Sequence, residues 1–152
     1  MLFLLLAGIG VAGYLAYVET QAVPAVCGPV GDCNTVQSSS YARLFGVLPI
    51  GVIGVIGYLA ILAAWIISRL SIHPLAEWAA LANFGMTFGG VLFSIYLTYL
   101  EPFVIKAVCM WCVSSAVIMT ALLLLNLRPA MNALKNLKNQ PQIASTARIT
   151  NG

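Results

Sequence analysis

Four long apolar stretches constrain the fold of this chain more than any other feature of its sequence. They cover residues 2–18, 49–70, 75–100 and 102–127, and a helix needs roughly 20 residues to cross a bilayer. Lipid offers the backbone no hydrogen-bond partners, so each stretch must form a helix. Only 7% of the residues are charged, against about 25% in a soluble domain. We therefore expect an all-α membrane protein with a four-transmembrane-helix bundle.

The basic residues predict how this bundle is oriented. If both termini are cytoplasmic, five of them lie inside and two outside, which follows the positive-inside rule; the five are Arg69, Arg128, Lys135, Lys138 and Arg148, and the two are Arg43 and Lys106. The first stretch has no basic residues before it, so we expect a retained helix rather than a cleaved signal peptide. Residues 128–152 then form a polar cytoplasmic tail.

Cysteine chemistry is the chemistry that this composition leaves available. Histidine occurs once and acidic residues four times, whereas there are four cysteines, Cys27, Cys33, Cys109 and Cys112. In the predicted orientation all four lie on the extracytoplasmic side, where disulfides persist. The net charge of +3 comes with no aromatic and basic patch, so we expect no nucleic acid partner.

The spacing of the two cysteine pairs favours redox cycling over static disulfides. Cys109 and Cys112 are three residues apart on the predicted fourth helix, which we expect to begin at Pro102 and to carry Cys109 about 10 Å along its axis. We therefore assign no role to the helix dipole there. A static disulfide between them would close a very short loop and add little stability. Zinc is an alternative, but C-x5-C is a poor zinc motif, so we expect no metal.

The loop between the first two spans is predicted to contain a short helix. Asn34 is a suitable N-cap and Gln37 follows three residues later, an arrangement similar to a capping box. Gly46 is a plausible end and Pro49 a plausible start for the next span. We expect this half-helix at about residues 35–45, over the outer membrane face.

Two polar residues and three glycines mark the interior of the bundle. Asn83 and Thr87 are four apart on one face of the third span, and polar residues at membrane depth face the bundle and often mark a site. Interhelical hydrogen bonding and ligand contact are both open for them. Gly51, Gly54 and Gly57 leave one face of the second span bare. Helix packing is the expected reason, and close approach of a flat ligand is the alternative.

Several motifs together resemble the vitamin K epoxide reductase (VKOR) family in its prokaryotic branch. They are "CGPVGDC", "CNTVQSSSYARLFGV", the proline- and glycine-rich start of the second span, and "CMWC" near the start of the fourth. The resemblance covers about residues 14–125. It implies a four-helix bundle around a quinone, with an extracytoplasmic loop and a short half-helix capping the quinone site.

The resemblance also implies a role for each cysteine. Cys27 and Cys33 correspond to a pair that exchanges with a thioredoxin-like or DsbA-like protein, and Cys33 to the residue that exchanges with Cys109. Cys109 and Cys112 correspond to the active-site pair, with Cys112 nearest the quinone, which would be menaquinone, ubiquinone or vitamin K-like. Ser39 corresponds to a serine near the quinone, with Ser38 and Ser40 as neighbouring alternatives.

Three differences limit how far the resemblance extends. The C-x5-C loop spacing is shorter than in animal members, and Ala116 stands four residues after Cys112 where those members carry a tyrosine. Epoxide reduction and vitamin K specificity are therefore left open. No thioredoxin-like domain follows the fourth span, so we expect a separate partner protein.

We therefore predict a multi-pass cell-membrane oxidoreductase, a monomer in contact with lipid, that passes electrons from a thioredoxin-like protein through two cysteine pairs to a quinone. Its product would be disulfide bonds outside the cytoplasm. One rival is an unrelated four-helix, quinone-linked disulfide generator, which carries its quinone-proximal pair in the first outer loop. The other is a small membrane transporter or metal-binding protein with structural cysteines.

Overall fold

The computed structural model describes residues 1–26, 32–38, 43–44, 48–70 and 75–150. Two of the predicted site residues, Cys27 and Ser39, lie outside these ranges, as does the predicted helix end at Gly46. The described elements are α1 (Leu2–Gln21), α2 (Cys33–Ser38), β1 (Arg43–Leu44), β2 (Leu48–Pro49), α3 (Ile50–Leu70), α4 (Leu75–Leu100), a π-helical turn (Glu101–Ile105) and α5 (Met110–Thr150).

Four of the described helices are long and apolar enough to cross a membrane. They are Leu2–Gln21, Ile50–Leu70, Leu75–Ile105 and Met110–Asn139. Helix α5 packs against α4 and α1, and α3 packs against α1 and α4. The expected all-α membrane fold with four spans is thus confirmed.

Two buried clusters hold the bundle together. The first lies around Tyr58 and includes Leu5, Ile61 and Leu122. Gly8 makes this packing possible, because a β-carbon there would lie 2.3 Å from the Tyr58 ring. The second cluster contains the buried side chains of Leu15, Val18, Ala25, Cys33, Val36 and Cys109. It joins the end of α1 and the start of α5 to α2.

The fourth span begins at Met110, so the prediction that it begins at Pro102 was wrong. Pro102 instead lies in the first turn of the π-helical turn that continues α4. The helix ends at Lys106, whose φ of 59° is left-handed, and the Ala107 N–H donates to the Glu101 carbonyl at 3.1 Å. Proline is tolerated in the first turn of any helical segment, so its presence did not distinguish a new helix from an extension of the old one.

Helix α2 is shorter than predicted and has a different cap. It covers Cys33–Ser38, and Arg43–Leu44 is already extended and pairs antiparallel with Leu48–Pro49, so the half-helix does not reach residue 45. The cap is Asp32, whose carboxylate accepts hydrogen bonds from the backbone N–H and the hydroxyl of Thr35. The hydroxyl bond in particular lowers the pKa of Asp32. Asn34, the predicted cap, accepts the Ala25 N–H at 2.7 Å.

Candidate functional site

The two cysteines of "CMWC" lie at the N-terminal end of α5. Cys109 immediately precedes the helix, and its carbonyl accepts the Val113 N–H at 3.0 Å. Both thiols are free. Cys109 is fully buried, whereas Cys112 is half-buried, one turn into the helix. The pair is therefore at a helix start, not within a helix as the sequence had indicated.

This position changes the acidity of the Cys109 thiol. The hydrogen bond from the Cys112 thiol lowers the pKa of Cys109, and the backbone N–H groups of Cys112 and Trp111 act in the same direction. Burial and the Glu101 carboxylate oppose the shift without cancelling it. A thiolate is the nucleophilic form of cysteine, so Cys109 is suited to exchange.

Cys33 lies beside this pair at the same end of the bundle. It is fully buried in the same cluster as Cys109, and the neighbouring Asp32 N–H donates to the Val108 carbonyl at 3.1 Å. Cys33 is disulfide-bonded in the structure. The structure thus brings together Cys33, Cys109 and Cys112, while Cys27 lies outside the described residues.

Three hydrogen bonds hold the two residues that precede Cys27. The Ala25 N–H donates to Asn34 Oδ1, and the Val26 N–H donates to the Tyr14 hydroxyl at 2.8 Å. The indole N–H of Trp111 donates to the Val26 carbonyl at 3.0 Å. The Tyr14 and Trp111 rings also contact each other, with centroids 4.7 Å apart. We call this set of contacts the Val26 clasp; it ties the loop to α1 and to the helix that carries the active-site cysteines.

A cavity of about 350 Å³ lies between the four long helices, within the range of about 300–1,000 Å³ typical of small-molecule sites. Cys112 is the one described cysteine in its lining. The other lining residues are Ala12, Leu15, Ile50, Gly51, Ile53, Gly54, Gly57, Tyr58, Ile61, Met86, Gly89, Gly90, Phe93, Ser94, Leu97, Thr98, Ser115 and Met119.

The shape of the cavity depends on the bare face of α3. A β-carbon on Gly51 would lie 2.5 Å from the Ala16 nitrogen, so this glycine serves helix packing. A β-carbon on Gly57 would meet nothing within 4 Å, so this glycine leaves space in the cavity. Helix packing thus explains Gly51, and the approach of a flat ligand to Gly57 stays a prediction.

The polar groups of the cavity are few. The Tyr58 hydroxyl lies 2.9 Å from Ser115 Oγ, and Ser94 and Thr98 add further hydroxyls to the lining. An apolar site with a small number of placed polar groups suits an apolar ligand that carries one or two oxygens. A quinone has this chemistry, and the lining therefore fits one.

Asn83 and Thr87 lie deeper along α4 and are not among the lining residues. Both are buried, and the Thr87 hydroxyl donates to the Asn83 carbonyl at 2.9 Å. The Asn83 side-chain oxygen has no hydrogen-bond partner among the described residues.

Glu101, which is 2% exposed and accepts the Cys109 N–H at 2.9 Å, was not among the predicted site residues. One signal was available, because Glu101 is the only charged residue between Glu77 and Lys106. An ionisable residue within a membrane segment is a reason to expect function. Tyr58 was missed as well, and its place at the cavity depends on packing against Gly8, which no local pattern indicates.

Free paired thiols beside an apolar cavity, in a bundle of four membrane-spanning helices, define a membrane-bound oxidoreductase. The family model described as vitamin K epoxide reductase family matches residues 1–127, and the chain belongs to that family. Membership makes it, in general terms, a quinone-linked disulfide oxidoreductase of the membrane.

Proposed function

We propose that this protein takes electrons from a separate thioredoxin-like protein and delivers them through two cysteine pairs to a quinone in the cavity. The observation that carries the proposal is the placement of the two active-site thiols. Cys109 shares a buried cluster with Cys33, whereas Cys112 lines the cavity. One thiol of the pair thus faces the loop and the other faces the site where a quinone would bind.

The relay consists of successive disulfide exchanges. The reduced partner attacks Cys27 in a Cys27–Cys33 disulfide and leaves Cys33 as a thiolate. The second thiol of the partner then displaces Cys27 from the mixed disulfide, so the partner departs oxidised and Cys27 is a thiol again. The Cys33 thiolate then attacks Cys109 in a Cys109–Cys112 disulfide, and Cys27 resolves the resulting Cys33–Cys109 bond. The Cys109 and Cys112 dithiol that remains holds two electrons, and a quinone accepts two electrons and two protons to become a hydroquinone.

The sidedness of the relay is part of the proposal. With both termini in the cytoplasm, the five basic residues assigned to the inside obey the positive-inside rule. The Cys109 end of the bundle then faces the extracytoplasmic side, and the end of α5 beyond Asn139 lies in the cytoplasm. Disulfide formation would be supported in the compartment where disulfides persist.

The quinone contacts are proposed from the cavity lining. Cys112 supplies the reacting sulfur, Ser115 and Tyr58 supply hydroxyls, and Gly57 supplies space for the ring. Ser39 stays a prediction from the family resemblance. Asn83 and Thr87 are buried away from the lining, so for them we favour a role within α4 over direct contact with the ligand.

Replacing Cys33 by alanine separates the two halves of this relay. Quinone reduction driven by a reduced thioredoxin-like protein should fall to background, because the loop pair can no longer pass electrons inward. Quinone reduction driven by dithiothreitol should persist, because a small thiol can reduce Cys109–Cys112 directly. Absorbance of a short-chain quinone follows both reactions. Equal loss with the two donors would contradict the order proposed for the pairs.

Replacing Trp111 by phenylalanine tests the Val26 clasp. The ring contact with Tyr14 can persist, but the hydrogen bond to the Val26 carbonyl is lost, at a cost of about 1 kcal/mol. We expect electron transfer from the thioredoxin-like protein to slow roughly fivefold, with the dithiothreitol-driven rate unchanged. The exposed Trp78 offers a matched control, since Trp78→Phe should alter neither rate. A Trp111→Phe protein with unchanged kinetics for the protein donor would show that the clasp does not position the loop.

A further inference from the structure

The buried Glu101 carboxylate is an unexplained feature of the site. It lies in the π-helical turn between α4 and α5, is 2% exposed, and accepts the backbone N–H of Cys109 at 2.9 Å. Its own carbonyl accepts the Ala107 N–H, which secures the turn to the segment before α5. A buried carboxylate is costly unless it is bonded or holds a proton, so its position beside two thiols calls for an explanation.

The Glu101 carboxylate lies near both thiols of the pair as well as the backbone of Cys109. It is close enough to Cys112 for the carboxylate and the thiol to influence each other's protonation, and its charge acts on both Cys109 and Cys112. Cys112 also lines the cavity. The Glu101 carboxylate is thus fixed by the Cys109 N–H at 2.9 Å, beside the thiol that lines the cavity.

Four other titratable groups of the described residues lie near this turn. Cys33 on α2, which packs against the turn, is disulfide-bonded. The Asp32 carboxylate is bonded to Thr35, and Tyr99 is 60% exposed. Lys106 follows the turn and terminates it.

We propose that Glu101 is the proton exchange partner of Cys112. This inference rests on the proposed relay of electrons through the cysteine pairs, and it adds Glu101 to the residues that carry out the reaction. In this role Glu101 exchanges a proton with a reacting atom, so it would be catalytic rather than only positional.

The proton step is coupled to the breaking of the Cys109–Cys112 bond. An incoming thiolate attacks Cys109 Sγ, a new S–S bond forms, and Cys112 leaves with the electron pair of the broken bond. The protonated Glu101 carboxyl donates its proton to the departing Cys112 sulfur. When the dithiol is later oxidised by a quinone, Cys112 returns this proton to Glu101. The proton released by the attacking thiol goes to water, and the two protons of the hydroquinone come from water.

The test measures reduction of the Cys109–Cys112 disulfide with no quinone present. The oxidised full-length protein in detergent is mixed with dithiothreitol at a series of pH values and quenched with acid. Alkylation and mass spectrometry then count the reduced pair. In the wild-type protein the rate should first rise with pH, as dithiothreitol becomes a thiolate, and then fall as Glu101 loses its proton.

Glu101→Gln keeps an oxygen that can accept the Cys109 N–H but has no proton to exchange. We expect the rate near the optimum to fall at least about tenfold, and the fall at high pH to disappear. A rate within twofold of wild type would overturn the proposal. A lower rate with the same bell-shaped profile would also overturn it, because that result indicates a positional role alone.

Two further variants keep the outcome interpretable. Glu77→Gln alters a second buried glutamate of the described residues, in the first turn of α4 and far from the π-helical turn, and should leave the rate and profile unchanged. If Glu101→Gln does not fold, Glu101→Asp is measured instead. A slower rate whose decrease at high pH occurs at a different pH from wild type supports the proposal. A decrease at the same pH as wild type overturns it. Quinone reduction by the wild-type protein is measured separately, so a failure of the proposed function is distinguished from a failure of this step.

Discussion

Replacing Cys112 by alanine is expected to abolish quinone reduction with every electron donor. Cys112 is the described cysteine that lines the cavity, so no other thiol of the pair can take its place beside the ligand. Loss of a reacting group costs several orders of magnitude in rate, and we expect a decrease of at least about a thousandfold. The absorbance of a short-chain quinone, with dithiothreitol as donor, measures the effect.

Ser114→Ala is the matched control for this substitution. Ser114 is two residues further along α5, is exposed, and bonds only back to the Met110 carbonyl in the described structure. Its loss should leave turnover within about twofold. A Cys112→Ala protein that keeps wild-type turnover would place the reacting thiol elsewhere.

A phenylalanine at Gly57 is expected to block the quinone without breaking the dithiol. The β-carbon position at Gly57 meets nothing within 4 Å and the residue lines the cavity, so a large side chain there would occupy the space assigned to the ligand. We expect kcat/KM for a short-chain quinone to fall at least about tenfold. Reduction of Cys109–Cys112 by dithiothreitol, counted by alkylation, should be unchanged.

The same substitution at Gly10 controls for the added aromatic ring. A β-carbon there also meets nothing within 4 Å, but Gly10 is exposed on α1 and does not line the cavity. Gly10→Phe should therefore keep the wild-type kcat/KM. If Gly57→Phe retains full quinone turnover while folded, the ligand does not occupy this cavity.

The spans could be predicted from sequence because hydrophobicity over about 20 residues is a strong, local signal. The second span differs from the observed helix by one residue at its start, and the third begins at residue 75 as predicted but continues through the π-helical turn to Ile105. The start of the fourth span was wrong, since Pro102 can begin a helix or lie within the first turn of a continuing one. The residue that terminates the π-helical turn in a left-handed conformation is a lysine. Lysine rarely adopts this conformation, so nothing in the sequence indicated it.

The prediction that Asn34 caps α2 was wrong because a second side chain nearby can also act as the cap. Asp32 and Asn34 are both good capping residues, and the choice between them depends on a tertiary contact. Asn34 is occupied by the Ala25 N–H, which leaves Asp32 to cap the helix. No local pattern in the sequence indicates which of the two side chains will instead accept a hydrogen bond from a backbone N–H outside the helix.

The four cysteines were chosen as candidates because few other reactive residues are present, and "CMWC" has a recognisable spacing. The structure brings Cys33, Cys109 and Cys112 together, while the roles assigned to the four cysteines stay predictions. A lowered thiol pKa is expected of a C-x-x-C pair, and the Cys112 thiol is the first cause of the lowered pKa of Cys109. The contribution of the backbone N–H groups was not predicted, because it depends on where α5 begins. The cavity, the Tyr58 hydroxyl and the Glu101 contact are products of packing between helices that are far apart in sequence.

A single-turnover measurement tests the central claim most directly. Fully reduced Cys33→Ala protein in detergent, without oxygen or free thiol, is mixed with an excess of short-chain quinone. Hydroquinone is counted by absorbance and the cysteines by mass spectrometry. The account predicts one hydroquinone per chain and a disulfide between Cys109 and Cys112. Absence of hydroquinone from the folded protein, or its formation while both of these thiols stay free, would contradict it.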